Sequence, residues 1–446
     1  MSLNALLAAR AADRKPVRVG LVGAGKFGTM FLSQARGIPG VHVAAVADAE
    51  AEHAHTALAL AAWPPLKAVA RSLDQALDSG GTFVTDDALS LIAEARLDIV
   101  VEATGNTLAA VRHALGAIAA GAHVVMATVE ADALCGPLMA KRAEAAGVIY
   151  SLAYGDQPAL ICELVDWARS CGFEVAAAGK GAKYLPGYNA TTADTVWQHF
   201  GIAPDRARAS GLNPRMFTSF IDGTKAAVEM AAVANATGLV PPSTGLSHMP
   251  CGVHDLPRLM KPKWDGGRLE AMGQVEVVSS EERDGRHVIG DLRRGVFVTF
   301  RAATDYAARC FGEYGAVTDE SGYYAALWRP THLIGMELGR SIASVACQGV
   351  PTGRPTAFIA DVAAVAKRDL APGTPLDGEG GYTVWGKLLP AIDSRRQNAL
   401  PIGLATGATL TRAVTAGQIV SWDDVTLGEV DDIVDLRRAM EVEFTA

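Results

Sequence analysis

Residues 17–28 read VRVGLVGAGKFG, a β-branched apolar run that ends in glycines spaced G-x-G-x-x-G. The helical-looking segment TMFLSQARG follows directly, so the glycines stand between a predicted strand and a predicted helix. In this context Gly23 permits the tight turn, Gly25 lets the backbone approach a pyrophosphate, and Gly28 lets the helix pack on the strand. The N–H groups of the helix N-terminus then face the phosphates. The stretch predicts a dinucleotide site made of Gly23, Ala24, Gly25, Lys26, Phe27 and Gly28.

A second apolar run, Val41–Ala47, is predicted to be the next strand, and it ends at Asp48, 20 residues beyond Gly28. A carboxylate in this position accepts hydrogen bonds from a ribose 2′-hydroxyl. Because a 2′-phosphate would lie beside its charge, Asp48 favours NAD, although Lys26 in the glycine turn would partly offset that charge. Both NAD and NADP therefore stay open. A glycine turn that serves packing alone is the alternative interpretation.

Strand and helix patterns go on alternating to residue 152. Such alternation predicts a parallel, doubly wound sheet, which binds its ligand at the carboxyl ends of the strands. Thr104, Gly105 and Thr128 follow two of the predicted strands and are expected at that edge, where ordinary turn chemistry is the alternative. The predicted strands are residues 98–103, 122–127 and 148–152, and the predicted helices are residues 107–120 and 131–146.

The composition excludes several classes of protein. The chain has 446 residues, of which 50% are hydrophobic, with six cysteines and a formal net charge of −8. It is too apolar to be disordered, too poor in cysteine to be a disulfide scaffold, and it lacks the positive charge that attracts nucleic acid. No apolar run of the sequence approaches the ~18 residues of a membrane span, and Leu3–Ala9 lacks the basic start of a signal peptide. We expect a cytoplasmic protein of about three domains.

One stretch, His248-Met-Pro-Cys251-Gly-Val-His254, places three potential metal ligands three residues apart. Cysteine and histidine are ligands that zinc prefers. The stretch is also rich in proline and glycine, which favours a loop without a bound metal. The sequence predicts the loop and leaves a metal site open.

These motifs together resemble the homoserine-dehydrogenase-like oxidoreductases. The resemblance rests on the glycine turn, on VVEATG at 100–105, on the strand before Thr128, and on the run Tyr154–Pro158. It continues to Asp222-Gly-Thr-Lys225, which looks like the aspartate-then-lysine catalytic segment of that family. Residues 358–428 resemble a SAF domain. Oxidoreductases with this full layout include the 1-deoxy-D-xylulose 5-phosphate reductoisomerase-like (DRL) enzymes.

The chain departs from homoserine dehydrogenases at two points. Thr128-Val-Glu130 stands where those enzymes usually carry an Asn-Lys pair, and Gly179–Tyr184 stands in place of their substrate-binding Asn-Gly-Thr-Thr-Asn segment. A carboxylate in place of a lysine, with two new lysines nearby, fits a differently charged substrate. Three cations are therefore candidates to hold a phosphate or to stabilise an enolate, with solvated surface positions as the alternative: Lys180, Lys183 and Arg215.

Asp222, Lys225 and Glu229 are spaced i, i+3 and i+7, which would place them on one face of a single helix. The neighbouring residues are mostly apolar or alanine, so this face is predicted to line a pocket. A desolvated lysine beside a carboxylate has a tuned pKa and serves in acid–base catalysis. The alternative is an i, i+4 ion pair between Lys225 and Glu229 on a solvated face.

The resemblance implies an NADPH-dependent reductoisomerase that acts on 1-deoxy-D-xylulose 5-phosphate in isoprenoid biosynthesis. The alternatives are a homoserine or sugar-acid dehydrogenase that uses NAD or NADP, and a non-catalytic regulator that senses a dinucleotide. A divalent metal is possible, for which Asp156, Asp222 and Glu229 are conceivable ligands. By analogy we expect a homodimer, a small anionic substrate, and neither nucleic acid nor membrane as a partner.

The sequence is expected to form an α/β protein of three parts. Residues 1–155 are predicted to be a Rossmann domain with a doubly wound parallel sheet, and residues 156–350 a central α+β catalytic and dimerisation domain. Residues 351–446 are predicted to be a small β-rich SAF-like domain. Within the centre, residues 157–171 and 331–347 are predicted helices, and residues 173–178 are a predicted strand. Residues 275–279, 295–301 and 323–328 are predicted strands of a mixed or antiparallel sheet.

Overall fold

The computed structural model describes residues 2–64 and 70–444, which form two compact units. The first unit contains the described residues of Met1–Leu160, His332–Thr356 and Asp435–Ala446, and the second contains Ile161–Thr331 and Ala357–Val434. Residues 357–434 of the expected C-terminal domain thus group with the central region, and the three domain boundaries stay a prediction. None of the helices in the described residues combines the length and the apolar character that crossing a bilayer requires.

The first unit is built on a six-stranded parallel sheet in the order β3-β2-β1-β4-β5-β6. This is the strand order of the doubly wound dinucleotide-binding fold, and it confirms the predicted fold class. The order reverses between β1 and β4, which is the switch point where such sheets bind their ligand. The strands are β1 Val17–Val22, β2 Val41–Ala47, β3 Phe83–Thr85, β4 Ile99–Glu102, β5 His123–Met126 and β6 Tyr150–Leu152.

Helices follow these strands and cover the sheet. Val19 and Leu21 of β1 pack in one buried cluster with Phe31 and Leu32, because a parallel sheet buries both of its faces. The helices are α1 Leu3–Ala12, α2 Lys26–Ala35, α3 Ala51–Leu60, α4 Leu73–Ser79, α5 Ala88–Ala93, α6 Thr107–Ala119 and α7 Val129–Ala145. Helix α8, Gln157–Ser170, begins in the first unit and continues in the second. The predicted helices at 107–120, 131–146 and 157–171 are therefore confirmed.

The second unit contains a mixed six-stranded sheet in the order β11-β12-β10-β7-β9-β8. Its strand β7 pairs parallel with β9 and antiparallel with β10, and it runs four residues beyond the predicted end at residue 178, so that it includes Lys180. The strands are β7 Glu174–Ala182, β8 Met249–Pro250, β9 Gln274–Ser279, β10 Val296–Arg301, β11 Val317–Thr318 and β12 Tyr324–Arg329. Of the two forms that the sequence left open, mixed or antiparallel, the structure shows the mixed one.

The helix predicted to carry Asp222, Lys225 and Glu229 is interrupted. One helix ends at Ile221, Gly223 has a left-handed backbone with φ +96°, and the next helix begins at Thr224. A shared face for the three residues is therefore wrong, because the break separates Asp222 from the other two. The helices are α9 Val196–Phe200, α10 Pro204–Ala209, α11 Pro214–Ile221, α12 Thr224–Thr237, α13 Leu256–Leu259 and α14 Asp305–Glu313.

The predicted helix at 331–347 is shorter in the structure. Residue Gly335 has φ +74°, and a Cβ there would lie 2.8 Å from the carbonyl oxygen of Phe27, so the backbone turns at this point. Helix α15, Gly339–Ala343, follows and continues as a π-helical turn over Ser344–Gln348.

The last part of the second unit is rich in short strands, as predicted. The antiparallel pair β13 Ala360–Ala366 and β14 Val384–Pro390 packs against α12. The Asn235 side chain fixes the start of β13, because its Oδ1 accepts hydrogen bonds from Ile359 N and Ala360 N at 2.8 and 2.9 Å. The remaining elements of this unit are β15 Thr409–Leu410, β16 Val425–Thr426, α16 Ala391–Arg396, and 3₁₀ turns at Tyr188–Ala190, Lys263–Asp265, Ile402–Leu404 and Trp422–Asp424. The last helix, α17 Asp431–Glu443, lies mostly in the first unit.

Candidate functional site

The three glycines of the first turn meet different surroundings. Gly23 has φ +100°, and a Cβ there would lie 2.5 Å from the carbonyl group of Ala103 at the end of β4. A Cβ on Gly28 would lie 2.3 Å from the carbonyl oxygen of Gly23, so the close approach of α2 to the turn needs glycine. A Cβ on Gly25 would meet nothing within 4 Å. Two glycines therefore serve the packing of the turn, and the third leaves open space in front of it.

This open space lies at the N-terminus of α2. Gly25 is the N-cap residue, and no side chain caps the first N–H groups of the helix. Uncapped N–H groups and the positive end of the helix dipole favour an anion. Lys26 is exposed and Phe27 partly exposed at the same point. The residues present therefore fit a dinucleotide pyrophosphate, and Gly23, Ala24, Gly25, Lys26, Phe27 and Gly28 would hold it.

Asp48 at the end of β2 is tied to the same turn. Its Oδ2 accepts a hydrogen bond from Ala24 N at 2.8 Å, and its Oδ1 accepts one from Glu50 N at 3.1 Å. His53 Nδ1 lies 3.5 Å from Oδ1. The carboxylate thus braces the glycine turn, a structural task that its position in the sequence did not reveal. Its remaining acceptor capacity is where a ribose hydroxyl would bind.

The predicted residues at the ends of β4 and β5 contact each other. Thr104 donates a hydrogen bond from Oγ1 to Oε1 of Glu102 at 2.6 Å, and Gly105 N donates to Thr128 Oγ1 at 3.0 Å. The buried Glu102 also lies 3.3 Å from His113 Nδ1. Thr104, Gly105 and Thr128 therefore form hydrogen bonds at the carboxyl edge of the sheet. These bonds are ordinary turn chemistry, which the sequence left open as the alternative to cofactor binding.

In the second unit, both lysines predicted to hold a phosphate are paired with carboxylates. Lys180 forms a buried ion pair with Glu229 of α12, and Lys183 Nζ lies 3.1 Å from Oε1 of the buried Glu281. A carboxylate already neutralises each ammonium, so the two lysines do not form a ready phosphate cradle. Glu229 is also the carboxylate that the sequence paired with Lys225 in the alternative interpretation.

The other predicted carboxylate, Asp222, is paired with Lys367 from the end of β13. The two charged groups are 2.8 Å apart, and Lys367 also donates to the carbonyl oxygens of Thr191 and Gly381, both at 2.8 Å or less. Burial raises the pKa of Asp222 from its usual value, and Lys367 opposes that rise. This ion pair connects the catalytic-looking segment to the SAF-like strand.

The remaining predicted cations have separate surroundings. Arg215 donates to the carbonyl oxygens of Asp377 and Glu379, with 3.3 Å to the latter. Its guanidinium thus holds a turn of the C-terminal segment, which differs from the predicted phosphate contact. Lys225 is partly exposed in the first turn of α12.

A cavity of about 270 Å³ opens beside the Asp222–Lys225 segment. It is bounded on one side by Gly223 and Ala227 and on another by the SAF-like strand β14. The rings of Tyr184 and His248 stack at its wall with centroids 4.0 Å apart. Its lining residues are Tyr184, Asn189, Gly223, Ala227, Thr244, Gly245, Leu246, His248, Trp385, Gly386, Lys387 and Leu388.

The loop from His248 to His254 forms no metal centre in the structure. His248 stacks on Tyr184, burial lowers its pKa to about 3, and Cys251 donates to the carbonyl oxygen of Gly252. Across residues 2–64 and 70–444, no three His, Cys, Asp or Glu side chains are grouped so that they could share a metal ion. Asp222 and Glu229, two of the conceivable ligands, are each bound to a lysine instead.

Sequence reasoning missed several residues that pair with the predicted side chains or line this cavity. Lys367, Glu281, Trp385 and Lys387 lie far along the chain from the residues they accompany, and no local motif marks them. Only Lys367 could have been noticed in the sequence, because it is a charged residue that directly follows the apolar run Val362–Ala366.

Three family models match the chain. Residues 19–152 match the NAD-binding domain of homoserine dehydrogenase, residues 155–338 match the catalytic domain of oxidoreductase DRL, and residues 361–426 match the SAF domain. The first match contains the glycine turn and Asp48 with their dinucleotide geometry. The chain is an NAD(P)-binding oxidoreductase. The three matches occur in the order NAD-binding, DRL catalytic and SAF domain.

Solved structures resemble the oxidoreductase only distantly. An NAD-binding oxidoreductase from Klebsiella pneumoniae is 17% identical, with 73% of this chain and 68% of that chain covered and a TM-score of 0.33. The 1-deoxy-D-xylulose 5-phosphate reductoisomerase from Zymomonas mobilis, in complex with NADPH, is 17% identical, with 49% and 57% covered and a TM-score of 0.32. An apo scyllo-inositol dehydrogenase from Lactobacillus casei is 11% identical, with 75% and 89% covered and a TM-score of 0.35. A search among curated proteins gave no significant match.

Proposed function

We propose that the oxidoreductase is an NADPH-dependent reductoisomerase that converts 1-deoxy-D-xylulose 5-phosphate into 2-C-methyl-D-erythritol 4-phosphate for isoprenoid synthesis. One observation carries the proposal: a catalytic domain of the oxidoreductase DRL kind at 155–338 directly follows an NAD-binding domain. The SAF match at 361–426 completes the layout that the sequence resembles.

The proposed reaction rearranges a hydroxyketone to an aldehyde and then reduces that aldehyde to an alcohol. The rearrangement requires that a hydroxyl proton leaves and that a carbonyl oxygen is polarised, which is general acid–base chemistry. When bound, the dinucleotide supplies the hydride for the reduction. The protein has to orient the phosphorylated substrate and to move protons at its oxygens.

For the proton transfer we propose Lys225. It is partly exposed in the first turn of α12, and it ends the segment Asp222-Gly-Thr-Lys225 that resembles the aspartate-then-lysine catalytic segment of homoserine dehydrogenases. Glu229 and Asp222 bind Lys180 and Lys367, so we assign them the positioning of those two lysines.

The test is cofactor oxidation with a panel of substrates. Purified protein is supplied with NADPH or NADH and with 1-deoxy-D-xylulose 5-phosphate, and in the reverse direction with homoserine or a sugar acid and the oxidised cofactor. We expect NADPH oxidation with the deoxyxylulose phosphate, inhibited by a phosphonate analogue. Turnover with homoserine or a sugar acid alone would contradict the proposal, and dinucleotide binding without any turnover would favour a regulator.

The variant Lys225→Met tests the role of the lysine. We expect kcat to fall at least about 100-fold, the usual contribution of a general acid or base, while dinucleotide binding followed by fluorescence is unchanged. The matched control is Lys263→Met, because Lys263 is exposed on a 3₁₀ turn of the same unit. Wild-type activity of Lys225→Met would refute the assignment.

A further inference from the structure

The cavity beside Gly223 is lined by polar groups that have no hydrogen-bond partner among the described residues. Lys387 of β14 lines it, and no described residue forms a hydrogen bond or ion pair with its ammonium group. None of the described lining residues is Asp or Glu. A lysine that faces a cavity without a carboxylate partner favours an anionic ligand.

His248 provides a second, independent observation. Its Nδ1 lies 3.3 Å from the carbonyl oxygen of Leu246, and because a carbonyl oxygen only accepts, Nδ1 carries the proton. Burial lowers the pKa of the ring to about 3, so the ring is neutral and Nε2 is an acceptor. This Nε2 is buried and has no hydrogen-bond partner among the described residues. Such an atom is satisfied by a ligand group that donates, such as a hydroxyl.

The other walls fit a small polyhydroxylated molecule. Trp385 lines the cavity beside Lys387 and offers an apolar ring, and Thr244 and Asn189 add polar groups. Pockets for drug-sized ligands measure roughly 300–1,000 Å³, so a cavity of about 270 Å³ suits a smaller metabolite.

We propose that this cavity binds a small hydroxylated anion, with Lys387 bound to the anionic group and His248 Nε2 accepting a hydrogen bond from a hydroxyl. The SAF-like strand β14 is then part of a ligand site, since it contributes both Lys387 and Trp385. The binding does not depend on the proposed reaction, and it is measured without cofactor. Failure of turnover and failure of binding are therefore separate results.

Calorimetric titration of the full chain tests the site. The probes are D-xylulose 5-phosphate and D-xylonate, which share the hydroxylated anion chemistry but carry a phosphate and a carboxylate, and uncharged D-xylulose. We expect at least one of the two anions to bind, and its identity distinguishes a phosphate from a carboxylate ligand. If neither anion binds at millimolar concentration, the proposal is wrong.

Two variants test the contacts. Lys387→Met keeps the length of the side chain and removes its charge, so we expect the Kd of the bound anion to rise about 10-fold or more. His248→Phe keeps an aromatic ring stacked on Tyr184 and removes the acceptor, so we expect it to raise the Kd of the anion by about 10-fold as well. Lys263→Met is the control for loss of a lysine, and circular dichroism verifies that each variant is folded. Unchanged affinity in folded Lys387→Met and His248→Phe would overturn the proposal.

Discussion

The ammonium group of Lys367 lies 2.8 Å from Oδ2 of Asp222, and the two side chains are only 2% and 0% exposed. The two residues are 145 positions apart in the chain. Lys367 uses its other donors on two backbone carbonyl groups, so all three of its N–H groups are satisfied. Asp222 in turn accepts a hydrogen bond from Thr224 N at the start of α12. The pair therefore anchors the SAF-like strand β13 to the segment that breaks α11 from α12.

We expect Lys367→Met to lower the free energy of unfolding by about 3–5 kcal/mol, because it leaves the Asp222 carboxylate buried without its partner. Adding Asp222→Asn removes that charge and should recover part of the loss. Urea denaturation measures both, with the exposed neighbour variant Arg368→Met as the control. If Asp222→Asn makes Lys367→Met still less stable, the ion pair does not have the assigned role.

The glycine turn gives a prediction that separates binding from stability. Gly25→Ala places a Cβ in open space, so we expect an unchanged melting temperature and a Kd for NAD(P) that rises about 10-fold or more. Gly28→Ala pushes a Cβ against the carbonyl oxygen of Gly23, so we expect it to lower the free energy of unfolding by about 1–3 kcal/mol. Thermal melts and dinucleotide titrations of both variants check this. A destabilised Gly25→Ala that binds NAD(P) normally would contradict the assignment.

The nucleotide-binding unit could be predicted because its signals are local. A β-branched strand, three glycines and a helix lie within about 20 residues, and in this order they are the fingerprint of a dinucleotide-binding turn. The parallel sheet then follows from the alternation of strands and helices. The sequence did not reveal the hydrogen bond that Asp48 accepts from Ala24 N, because the two residues are 24 positions apart and follow different strands.

The candidate site of the second unit could be predicted only in part. The sequence identified Lys180, Asp222 and Glu229 as candidate site residues. It did not identify their ion-pair partners, because each pair joins residues at least 49 positions apart in the chain. The helical spacing of Asp222, Lys225 and Glu229 was misleading, because Gly223 interrupts the helix with a left-handed residue. A spacing argument assumes a continuous helix, and one glycine was enough to make it wrong.

Asp48 is expected to control the choice of cofactor. Asp48→Asn keeps an oxygen that accepts from Ala24 N and removes the charge that would repel a 2′-phosphate. We expect the ratio of kcat/KM for NADPH to that for NADH to rise about 10-fold, measured by initial rates with both cofactors. The control is Glu52→Gln, which removes an exposed carboxylate from the adjacent helix α3. An unchanged ratio would mean that Asp48 serves only to brace the turn.

Asp132 of α7 carries a prediction about pH. The side chain is fully buried, its Oδ1 accepts a hydrogen bond from the hydroxyl of Tyr150 at 2.9 Å, and its Oδ2 has no hydrogen-bond partner among the described residues. Burial raises the pKa of Asp132 to about 7. Between about pH 4 and pH 7 the native state therefore holds a proton that the unfolded chain has lost. The free energy of unfolding must fall as the pH rises through this window, and above it the full cost of a buried charge remains.

Asp132→Asn removes this titration and keeps an oxygen that accepts from Tyr150. We expect wild type and variant to be equally stable near pH 4, and the variant to be more stable by about 1–3 kcal/mol near pH 8, since it buries no charge. Urea denaturation at several pH values measures the difference, with the exposed Asp78→Asn as the control. A difference that does not grow with pH would mean that Asp132 is ionised in the folded protein across this range. The carboxylate would then have to be stabilised by groups other than Tyr150.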